Sequence, residues 1–423
     1  MSTPVLLPYP PVTSVTDYVE QRGGGRGLAR ARALGPGGTI QEVALSGLRG
    51  RGGAGFPTGR KWRSIRDGAG AGVPRYVVAN GAEGEPGTWK DRAILRSDPY
   101  QVVEGVAIAA LAVGAERAYL AVKERFVDER DALARALAEM AAAGLAGDVP
   151  IDLVAGPQAY LFGEETGLLE VIEGNAALPR LYPPYQHGLF ATAAGTPNPT
   201  LVNNVETLAM AAHVLANGPE WHRSAGTEES PGIVVCTVSG DVVAPAVAEV
   251  ALGTPLGQVI DEVGGGVAPG RSVKAVLSGV SNPVLRGDQL DVPVSYEGMA
   301  AAGTGLGSCG FVAFDDTASM VEVAVLASRF LADESCGQCP PCKLGTAAIT
   351  GLLERVAAGA ADEATFEQLH RWLVQVTDGN RCYLPVEEQR LVSSLLQTFP
   401  EDFVVGLEGR PVPWRGLTWP DLA

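Results

Sequence analysis

The sequence lacks any apolar run long enough to cross a membrane. Its longest runs, such as residues 106–115, are bounded by glutamates at 104 and 116, whereas a transmembrane helix needs about 20 apolar residues. The first residues lead directly into prolines, without the basic and apolar regions of a secretory signal peptide. These absences predict a cytoplasmic protein with no direct membrane insertion.

The chain also lacks an excess of positive charge and is poor in aromatic residues. Its net charge is −16, which argues against nucleic acid or an anionic membrane surface as a partner. Aromatic residues make up only 6% of the chain, but 46% of its residues are hydrophobic, which is enough for packed cores. Since domains contain about 100–200 residues, we expect two to four of them in 423 residues.

A disulfide framework is not indicated, because four of the six cysteines belong to one pattern. Cys336, Cys339 and Cys342 have the spacing C-x2-C-x2-C, and Cys382 follows 40 positions later. Three thiolates on one tight loop with a remote fourth are typical of a [4Fe-4S] cluster. A zinc site, which usually uses two C-x2-C pairs, is the less favoured alternative, followed by unligated thiols. Clustered cysteines also suit a reducing compartment.

A glycine-rich loop occupies residues 47–62 and has the sequence GLRGRGGAGFPTGRKW. Glycines without a Cβ atom let backbone N–H groups approach a phosphate closely, and the cationic side chains add charge-assisted hydrogen bonds. The segment is neither a dinucleotide-binding loop that follows a strand nor a Walker A loop. It predicts an anion-binding loop, with a flexible surface loop as the alternative.

Three further blocks carry carboxylates and amides. Residues 80–92 directly follow a predicted strand, residues 160–166 open a predicted helix, and residues 199–207 contain paired asparagines. Ligands of open α/β sheets bind at the carboxyl ends of strands, where carboxylates accept hydrogen bonds from ribose and amides suit a phosphate or flavin edge. Each block also has a structural alternative. Residues 80–92 could form a solvated acidic turn, the glutamates of residues 160–166 could interact with a helix dipole, and Asn203 could cap a helix.

Hydrophobic periodicity predicts an α/β and α+β multidomain fold. Strands are expected at 76–79, 118–122 and 151–155, alternating with helices at 99–114, 124–143 and 203–216. This alternation is typical of a parallel sheet covered by helices. Later helices are expected at 255–263, 320–331, 349–357, 364–376 and 386–396.

The expected boundaries give five regions. They are an N-terminal arm with one short helix at 1–40, an α/β domain that contains the glycine-rich loop at 41–225, a small α+β module at 230–306, a helical domain around the cysteines at 318–400, and a surface tail at 401–423. Two tryptophans in the tail predict docking onto another surface or packing on its own domain.

Taken together and in this order, the blocks resemble the flavin-bearing, NADH-oxidising subunit of respiratory complex I, the 51 kDa or F-type subunit. That family includes the diaphorase subunits of NAD-linked hydrogenases and formate dehydrogenases. The resemblance covers residues from about 40 to 400. It implies a Rossmann-like FMN domain, a β-grasp (SLBB-like) module and a C-terminal helical bundle with one [4Fe-4S] cluster.

The implied activity is NADH oxidation by hydride transfer to FMN, followed by release of single electrons to the cluster. The resemblance also implies a thioredoxin-like [2Fe-2S] partner subunit and often a larger iron–sulfur or catalytic subunit. Any association with the inner membrane would then be peripheral and would occur through these partners.

The resemblance assigns residues to each cofactor. FMN would be bound by Gly50, Arg51, Gly52, Lys61, Asn80, Tyr160, Asn203 and Asn204. NADH would stack near Phe56, with Glu85 and Glu165 binding the nucleotide and Glu83 and Glu164 near the flavin ring. Glu83, Glu85 and Glu165 are the candidate catalytic residues. The cluster would be held by Cys336, Cys339, Cys342 and Cys382.

The chain departs from the family pattern around the nucleotide. Ala82 replaces an acidic residue of the family pattern, and Tyr182 replaces a lysine. Tyr185 and Ser64 each replace a phenylalanine, and Phe162 replaces a cysteine. Three alternatives therefore stay open: a donor other than NADH, a non-catalytic electron-relay or scaffold subunit with a degenerate nucleotide site, and a zinc-stabilised structural protein. The choice of NAD or NADP, the direction of electron flow and the oligomeric state are also open.

Overall fold

The computed structural model of the protein describes residues 4–68, 70, 72–192 and 197–419. The chain divides into two units. The first contains Met1–Gly84, Trp89–Cys236 and Val247–Thr254, and the second contains Glu85–Thr88, Thr237–Ala246 and Pro255–Ala423. Neither unit is therefore one continuous stretch of sequence.

A parallel four-stranded sheet lies at the centre of the first unit. Its strands are β1 (Tyr76–Gly81), β2 (Arg117–Lys123), β3 (Ile151–Gly156) and β4 (Thr200–Asn204), in the order β3-β2-β1-β4. The two middle strands are largely apolar and buried, as expected for a parallel sheet covered on both faces. The predicted Rossmann-like α/β fold is confirmed, but β4 was missed because part of it was assigned to the following helix.

Nine helices accompany this sheet in the described part of the first unit. They are α1 (Val15–Arg22), α2 (Arg26–Leu45), α3 (Thr58–Asp67), α4 (Lys90–Ser97), α5 (Pro99–Val113), α6 (Val127–Ala142), α7 (Glu165–Ile172), α8 (Val205–Asn217) and α9 (Pro219–Arg223). Helix α5 is apolar on nearly all sides and buried, because it packs between α2 and α8. A Cβ on Gly105 would lie 2.1 Å from the Leu208 carbonyl oxygen, so the close approach of α5 and α8 requires glycine.

The N-terminal region differs from the expected arm with one short helix. It contains two helices, and the second, α2, bends at Gly35, which has φ +67° and precedes a proline. Leu6, Tyr18 and Leu28 are buried in the core of the first unit. Glu104 on α5 accepts hydrogen bonds from the Tyr18 hydroxyl and the Leu28 N–H. Sequence periodicity could not reveal these anchors, because the partners lie about 80 residues away.

The second unit combines a mixed sheet with a helical bundle. The strands are β5 (Ile233–Gly240, which begins in the first unit), β6 (Ala246–Ala251, which belongs to the first unit from Val247 onward), β7 (Val273–Ser278), β8 (Leu285–Arg286) and β9 (Gly310–Asp315), in the order β6-β5-β9-β7-β8. Strand β9 is parallel to β5 and antiparallel to β7. Helices α10 (Leu256–Gly264) and α11 (Tyr296–Ala301) accompany them. The α+β composition is the expected one, but β9 lies beyond the expected limit at residue 306.

The helical bundle follows the sheet. Its helices are α12 (Met320–Glu334), α13 (Pro340–Ala357), α14 (Glu363–Gln375), α15 (Leu384–Thr398) and α16 (Pro400–Leu407). Helix α13 begins inside the cysteine loop, earlier than predicted, because proline is well suited to the first helical turn. Within the described ranges, no helix is both long enough and apolar enough to cross a membrane.

The tail after α16 is attached to its own unit. The Arg415 N–H donates to Glu322 at 2.9 Å, and the Trp419 ring lies edge-on to Phe330. Of the two interpretations of the tail, packing on its own unit therefore holds for Trp419. Trp414 stays half exposed.

Candidate functional site

The sequence blocks of the first unit meet at the carboxyl edge of its sheet. Asn80 on β1 is in register with Asn204 on the neighbouring β4. The Asn80 amide Nδ2 donates to the Gly163 carbonyl at 2.7 Å, next to the short 3-10 helix of Tyr160–Phe162 that follows β3. Parallel strands end at the same sheet edge, which is the ligand-binding position in open α/β sheets.

The glycine-rich loop is attached to this same edge. The Arg51 N–H donates to the Thr207 hydroxyl at 2.9 Å, and the Arg51 guanidinium donates to the Ile233 carbonyl at 2.9 Å. A Cβ on Gly52 would lie 3.5 Å from the Asn204 Cβ, whereas one on Gly53 would meet nothing within 4 Å. Gly53 has φ +113°, so the loop turns with one side open. An open glycine cradle beside amide groups fits a flavin phosphate.

A buried charge network lies beneath Asn204. The Lys90 ammonium contacts Asp91 Oδ1 at 2.7 Å, Glu206 Oε2 at 2.8 Å and Asn204 Oδ1 at 3.0 Å. Burial alone would lower the pKa of Lys90, but the Asp91 and Glu206 carboxylates outweigh burial and raise it. Asp91 also accepts the Asn204 amide N–H at 2.7 Å. Both ends of the Asn204 amide are therefore held, which fixes its orientation.

Lys61 and Asn203 have partners within the first unit. The Lys61 ammonium is ion-paired with Glu165 at the start of α7, so two predicted ligand residues contact each other. The Asn203 amide oxygen accepts the Trp62 indole N–H at 2.8 Å. Asn203 does not cap α8, since Asn204 is the capping residue. The predicted FMN role of Asn203 stays a prediction, and its visible role is to hold Trp62.

Glu83 is buried and tied to α4. It accepts the Asp91 N–H at 2.9 Å and the Arg92 guanidinium at 2.9 Å. Burial and the Asp91 charge raise the pKa of Glu83 to about 7, although Arg92 opposes the shift. The carboxylate thus sits near its titration point at neutral pH, beside the edge where the flavin is expected.

Glu164 is a helix cap. Its carboxylate accepts the N–H groups of Thr166 and Gly167 at 2.9 and 2.8 Å, and burial raises its pKa. The ordinary helix-terminus interpretation accounts for these contacts. Whether the residue also lies close to a bound flavin stays a prediction.

The other two nucleotide residues differ in their surroundings. Phe56 is half exposed and stacks under the Arg60 guanidinium at 5.5 Å. Glu85 belongs to the second unit, where its carboxylate accepts the Val280 N–H at 2.7 Å. A Cβ on Gly279 would lie 2.0 Å from this carboxylate, so glycine permits the contact.

The departures from the family pattern fall into two groups. Ala82 and Phe162 are buried in one apolar cluster with Val78 and Leu168, so a carboxylate at position 82 would be placed against hydrocarbon. Tyr182 and Tyr185 are instead more than half exposed. Ser64 is exposed and donates its hydroxyl to the Lys61 carbonyl at 2.8 Å.

The cysteine loop joins α12 to α13. Gly337 has φ +81° and turns the chain between Cys336 and Cys339, and Cys339 is the residue that precedes α13. Cys342 lies in the first turn of α13, where unpaired backbone N–H groups favour thiolates. Cys382 lies just before α15. All six cysteines are described, and none of them forms a disulfide.

Without iron, the electrostatics of the loop disfavour the Cys342 thiolate. Burial raises the pKa of Cys342, the Ser335 hydroxyl contact at 3.3 Å lowers it, and the neighbouring thiols of Cys339 and Cys336 raise it further. Three thiols therefore lie within range of each other's charge, and bound iron would deprotonate them. Among the described residues, no three His, Cys, Asp or Glu side chains converge on a position for a single metal ion. The donor set fits an iron–sulfur cluster.

Sequence reasoning missed the residues that support the site. Lys90, Asp91 and Arg92 end one of the quoted blocks, and Glu206 and Thr207 end another. The sequence signal that could have revealed them is the run of charged residues 90–92 directly after Trp89, which is buried. Their pairing could not be predicted, because Lys90 and Asn204 are 114 residues apart.

Comparisons with known proteins give consistent matches. Residues 43–213 match the Nuo51 FMN-binding domain, residues 235–282 match the SLBB domain, and residues 322–405 match the NADH-ubiquinone oxidoreductase-F iron-sulfur binding region. The chain is 38% identical to the second F-type subunit of NADH-quinone oxidoreductase in Rhizobium meliloti, covering 93% of this chain and 94% of the relative. It is 37% identical to the F-type subunit of the Streptomyces coelicolor NADH-quinone oxidoreductase, covering 96% and 91%.

A solved structure gives the same assignment. A chain of an NAD+-reducing [NiFe]-hydrogenase in the H2-reduced state superimposes with a TM-score of 0.83 and 33% identity. The match covers 94% of this chain and 67% of that chain.

Proposed function

This chain belongs to the family of FMN-binding, NADH-oxidising F-type subunits of NADH-quinone oxidoreductases, and on that premise we propose how its residues divide the function. The chain is a diaphorase-type oxidoreductase subunit with FMN, NADH and an iron–sulfur region. The proposal concerns which residues perform each part. The observation that carries it is the meeting of the glycine loop, Asn80 and Asn204 at one sheet edge.

The first unit holds the flavin. Gly50, Arg51 and Gly52 line the phosphate site: the N–H groups of Gly50 and Arg51 hold the loop in shape by donating to the Phe56 carbonyl and the Thr207 hydroxyl, and the backbone at Gly52 approaches the phosphate. The Lys90 network keeps the Asn204 amide turned toward the same edge. Lys61 leaves Glu165 when the cofactors bind, so that the ammonium meets the flavin and the carboxylate meets the nucleotide. When bound, FMN accepts a hydride as an electron pair and passes electrons on singly.

The nucleotide lies over the flavin near Phe56, whose exposed ring offers a stacking face. Glu85 and Glu165 accept hydrogen bonds from nucleotide hydroxyls. Glu83, whose pKa is near 7, holds or releases a proton beside the flavin. Tyr160 packs close to the chain at Gly84 and lines the same edge.

The second unit carries the electrons onward. Cys336, Cys339, Cys342 and Cys382 supply the four thiolates of a [4Fe-4S] cluster. Because the relatives are subunits of a quinone oxidoreductase and of a hydrogenase, the chain works in a complex. Its partners are a thioredoxin-like [2Fe-2S] subunit and a larger iron–sulfur or catalytic subunit. Any contact with the inner membrane is peripheral and occurs through those partners.

The test is anaerobic absorbance of the purified protein before and after addition of NADH. We expect a brown, flavin-containing sample that bleaches with NADH. A sample that bleaches only with dithionite would contradict NADH as the donor while keeping the cluster. Cys382→Ala should remove the cluster absorbance and leave the flavin bands. Retention of the cluster would place the fourth ligand elsewhere.

A further inference from the structure

A buried polar network connects three helices of the bundle beside the cysteine loop. Its members are Ser328 on α12, Thr346 and Thr350 on α13, and Glu388 on α15, and the side chains are almost completely buried. None of the sequence motifs includes these residues. The network is unusual because it places a carboxyl group among hydroxyl groups in an apolar core.

Short contacts run through the network in one line. The Thr346 hydroxyl donates to the Cys342 carbonyl at 2.9 Å, and the Thr350 hydroxyl donates to the Thr346 carbonyl at 2.9 Å. The Ser328 and Thr350 hydroxyl oxygens are 2.8 Å apart, and Ser328 Oγ lies 2.6 Å from Glu388 Oε1. The line therefore joins Glu388 to the helix that carries Cys342, although Glu388 itself contacts no cysteine along it.

The number of protons along this line differs between the two charge states of Glu388. Three contacts, Glu388–Ser328, Ser328–Thr350 and Thr350 with the Thr346 carbonyl, each need one proton. The two hydroxyl groups supply only two protons. If Glu388 is ionised, Ser328 donates to it and the single Thr350 proton can serve either the Ser328 oxygen or the Thr346 carbonyl, so one of the three contacts has no proton. If Glu388 is protonated, its O–H donates to Ser328, Ser328 donates to Thr350, and every contact is satisfied.

The surroundings of Glu388 agree with a neutral carboxyl. Burial raises its pKa to about 8, and the Ser328 bond opposes this shift. The second oxygen, Oε2, is buried and has no hydrogen-bond partner among the described residues. No cation from α12, α13, α14 or α16 contributes to its pKa. Cys342 on α13 responds to this carboxyl, since the Glu388 charge raises the pKa of its thiol.

We propose that Glu388 is a redox-linked proton-binding site: at alkaline pH, where its carboxyl is ionised, it takes up a proton from solvent when the neighbouring iron–sulfur cluster gains one electron. The electron comes from NADH through the flavin, and both electron and proton leave on reoxidation. The physical reason is that added negative charge near Cys342 disfavours ionisation of Glu388 across a low-dielectric core. The inference rests on the proposed ligand role of Cys342. Glu388 acts on the cluster through its charge and touches no substrate.

The test is the midpoint potential of the cluster in the whole protein, measured by EPR-monitored redox titration from pH 6 to 10. In the wild type, we expect the potential to fall as the pH rises, with a slope below the one-electron limit of about 59 mV per tenfold change in proton concentration. In Glu388→Gln, which keeps the shape but cannot ionise, we expect the slope to vanish. The two potentials should agree at low pH, and the variant should be higher at high pH.

Two further variants keep the test decisive. Ser328→Ala removes a bond that stabilises the ionised carboxylate, so its sloping region should move to higher pH. Glu354→Gln on α13 makes the same chemical change at a half-exposed position and should keep the wild-type slope. Redox-difference infrared spectra should contain a protonated-carboxyl band in the wild type that is missing in Glu388→Gln.

Equal slopes in the wild type and Glu388→Gln would overturn the inference, as would a potential independent of pH in the wild type. Either result would leave the proposed function intact, because the EPR signal would still report the cluster. A preparation that lacks a cluster signal would instead overturn the proposed cysteine ligands, and the inference with them.

Discussion

Two sites in this molecule contain buried carboxyl groups, and the groups that compensate for their burial differ. Under the flavin edge of the first unit, Asp91 and Glu206 surround the Lys90 ammonium, so opposite charges stabilise one another. In the helical bundle, the hydrogen-bond partner of Glu388 is the Ser328 hydroxyl. The difference shows that burial alone does not decide charge. The first two carboxylates have a cation beside them, whereas the partner of Glu388 is a neutral hydroxyl, which favours a proton on that carboxyl.

The largest effect should come from removing the cation. Lys90→Met leaves the buried Asp91 carboxylate without the ammonium and Glu206 with only the Arg51 guanidinium at 3.9 Å, and we expect a loss of about 3–5 kcal/mol in the free energy of unfolding. Urea unfolding of the first unit, followed by Trp62 and flavin fluorescence, measures the loss. A change below about 1 kcal/mol would show that water or another group replaces the ammonium.

Removing the ionisable group of Glu388 should increase the free energy of unfolding, whereas removing Lys90 decreases it. Its pKa rises from 4.5 to about 8 on folding, so the wild type loses stability as the pH rises through this window. Glu388→Gln avoids the loss and should be more stable by roughly 1–3 kcal/mol at pH 8.5, with little difference at pH 4.5. Thermal unfolding at the two pH values tests this. Equal differences at both values would contradict a buried neutral carboxyl.

Glu83 lies between the two cases, since it is buried but paired with Arg92. Its pKa rises from 4.5 to about 7, so its contribution to stability also falls with rising pH, but the change should end about one pH unit earlier than for Glu388. For Glu83→Gln, we expect a pH-dependent difference of about 1 kcal/mol, because loss of the Arg92 pair offsets part of the gain. A difference that keeps growing above pH 8 would exclude this assignment.

The smallest effect should come from a surface pair. Arg329 and Glu354 form an ion pair in which both side chains are half exposed. Arg329→Met should therefore change the unfolding free energy by less than about 1 kcal/mol, and added salt should reduce the difference. Urea unfolding at low and high salt measures it. A large change that does not depend on salt would show that the pair is shielded from water in solution.

Part of the candidate site follows from local sequence. The spacing of Cys336, Cys339 and Cys342 places three thiols on one loop, and glycine at positions 53 and 55 allows the positive φ angles of the glycine-rich loop. The strands β1 to β3 were predictable because continuous apolar runs signal a buried parallel sheet. The helix α2 and the burial of Leu6 were not, because Gly and Pro in the first 40 residues hide an amphipathic pattern.

The sequence by itself determined the chemistry available to this protein: a phosphate cradle, paired amides and four thiols in a cluster spacing. The tertiary structure decided which groups stay charged. Lys90 meets Asn204 across 114 residues, and Ser328 meets Glu388 across 60. The pKa of a buried group depends on its partners and on the exclusion of water. Only folding supplies these conditions, because they join residues that are distant along the chain.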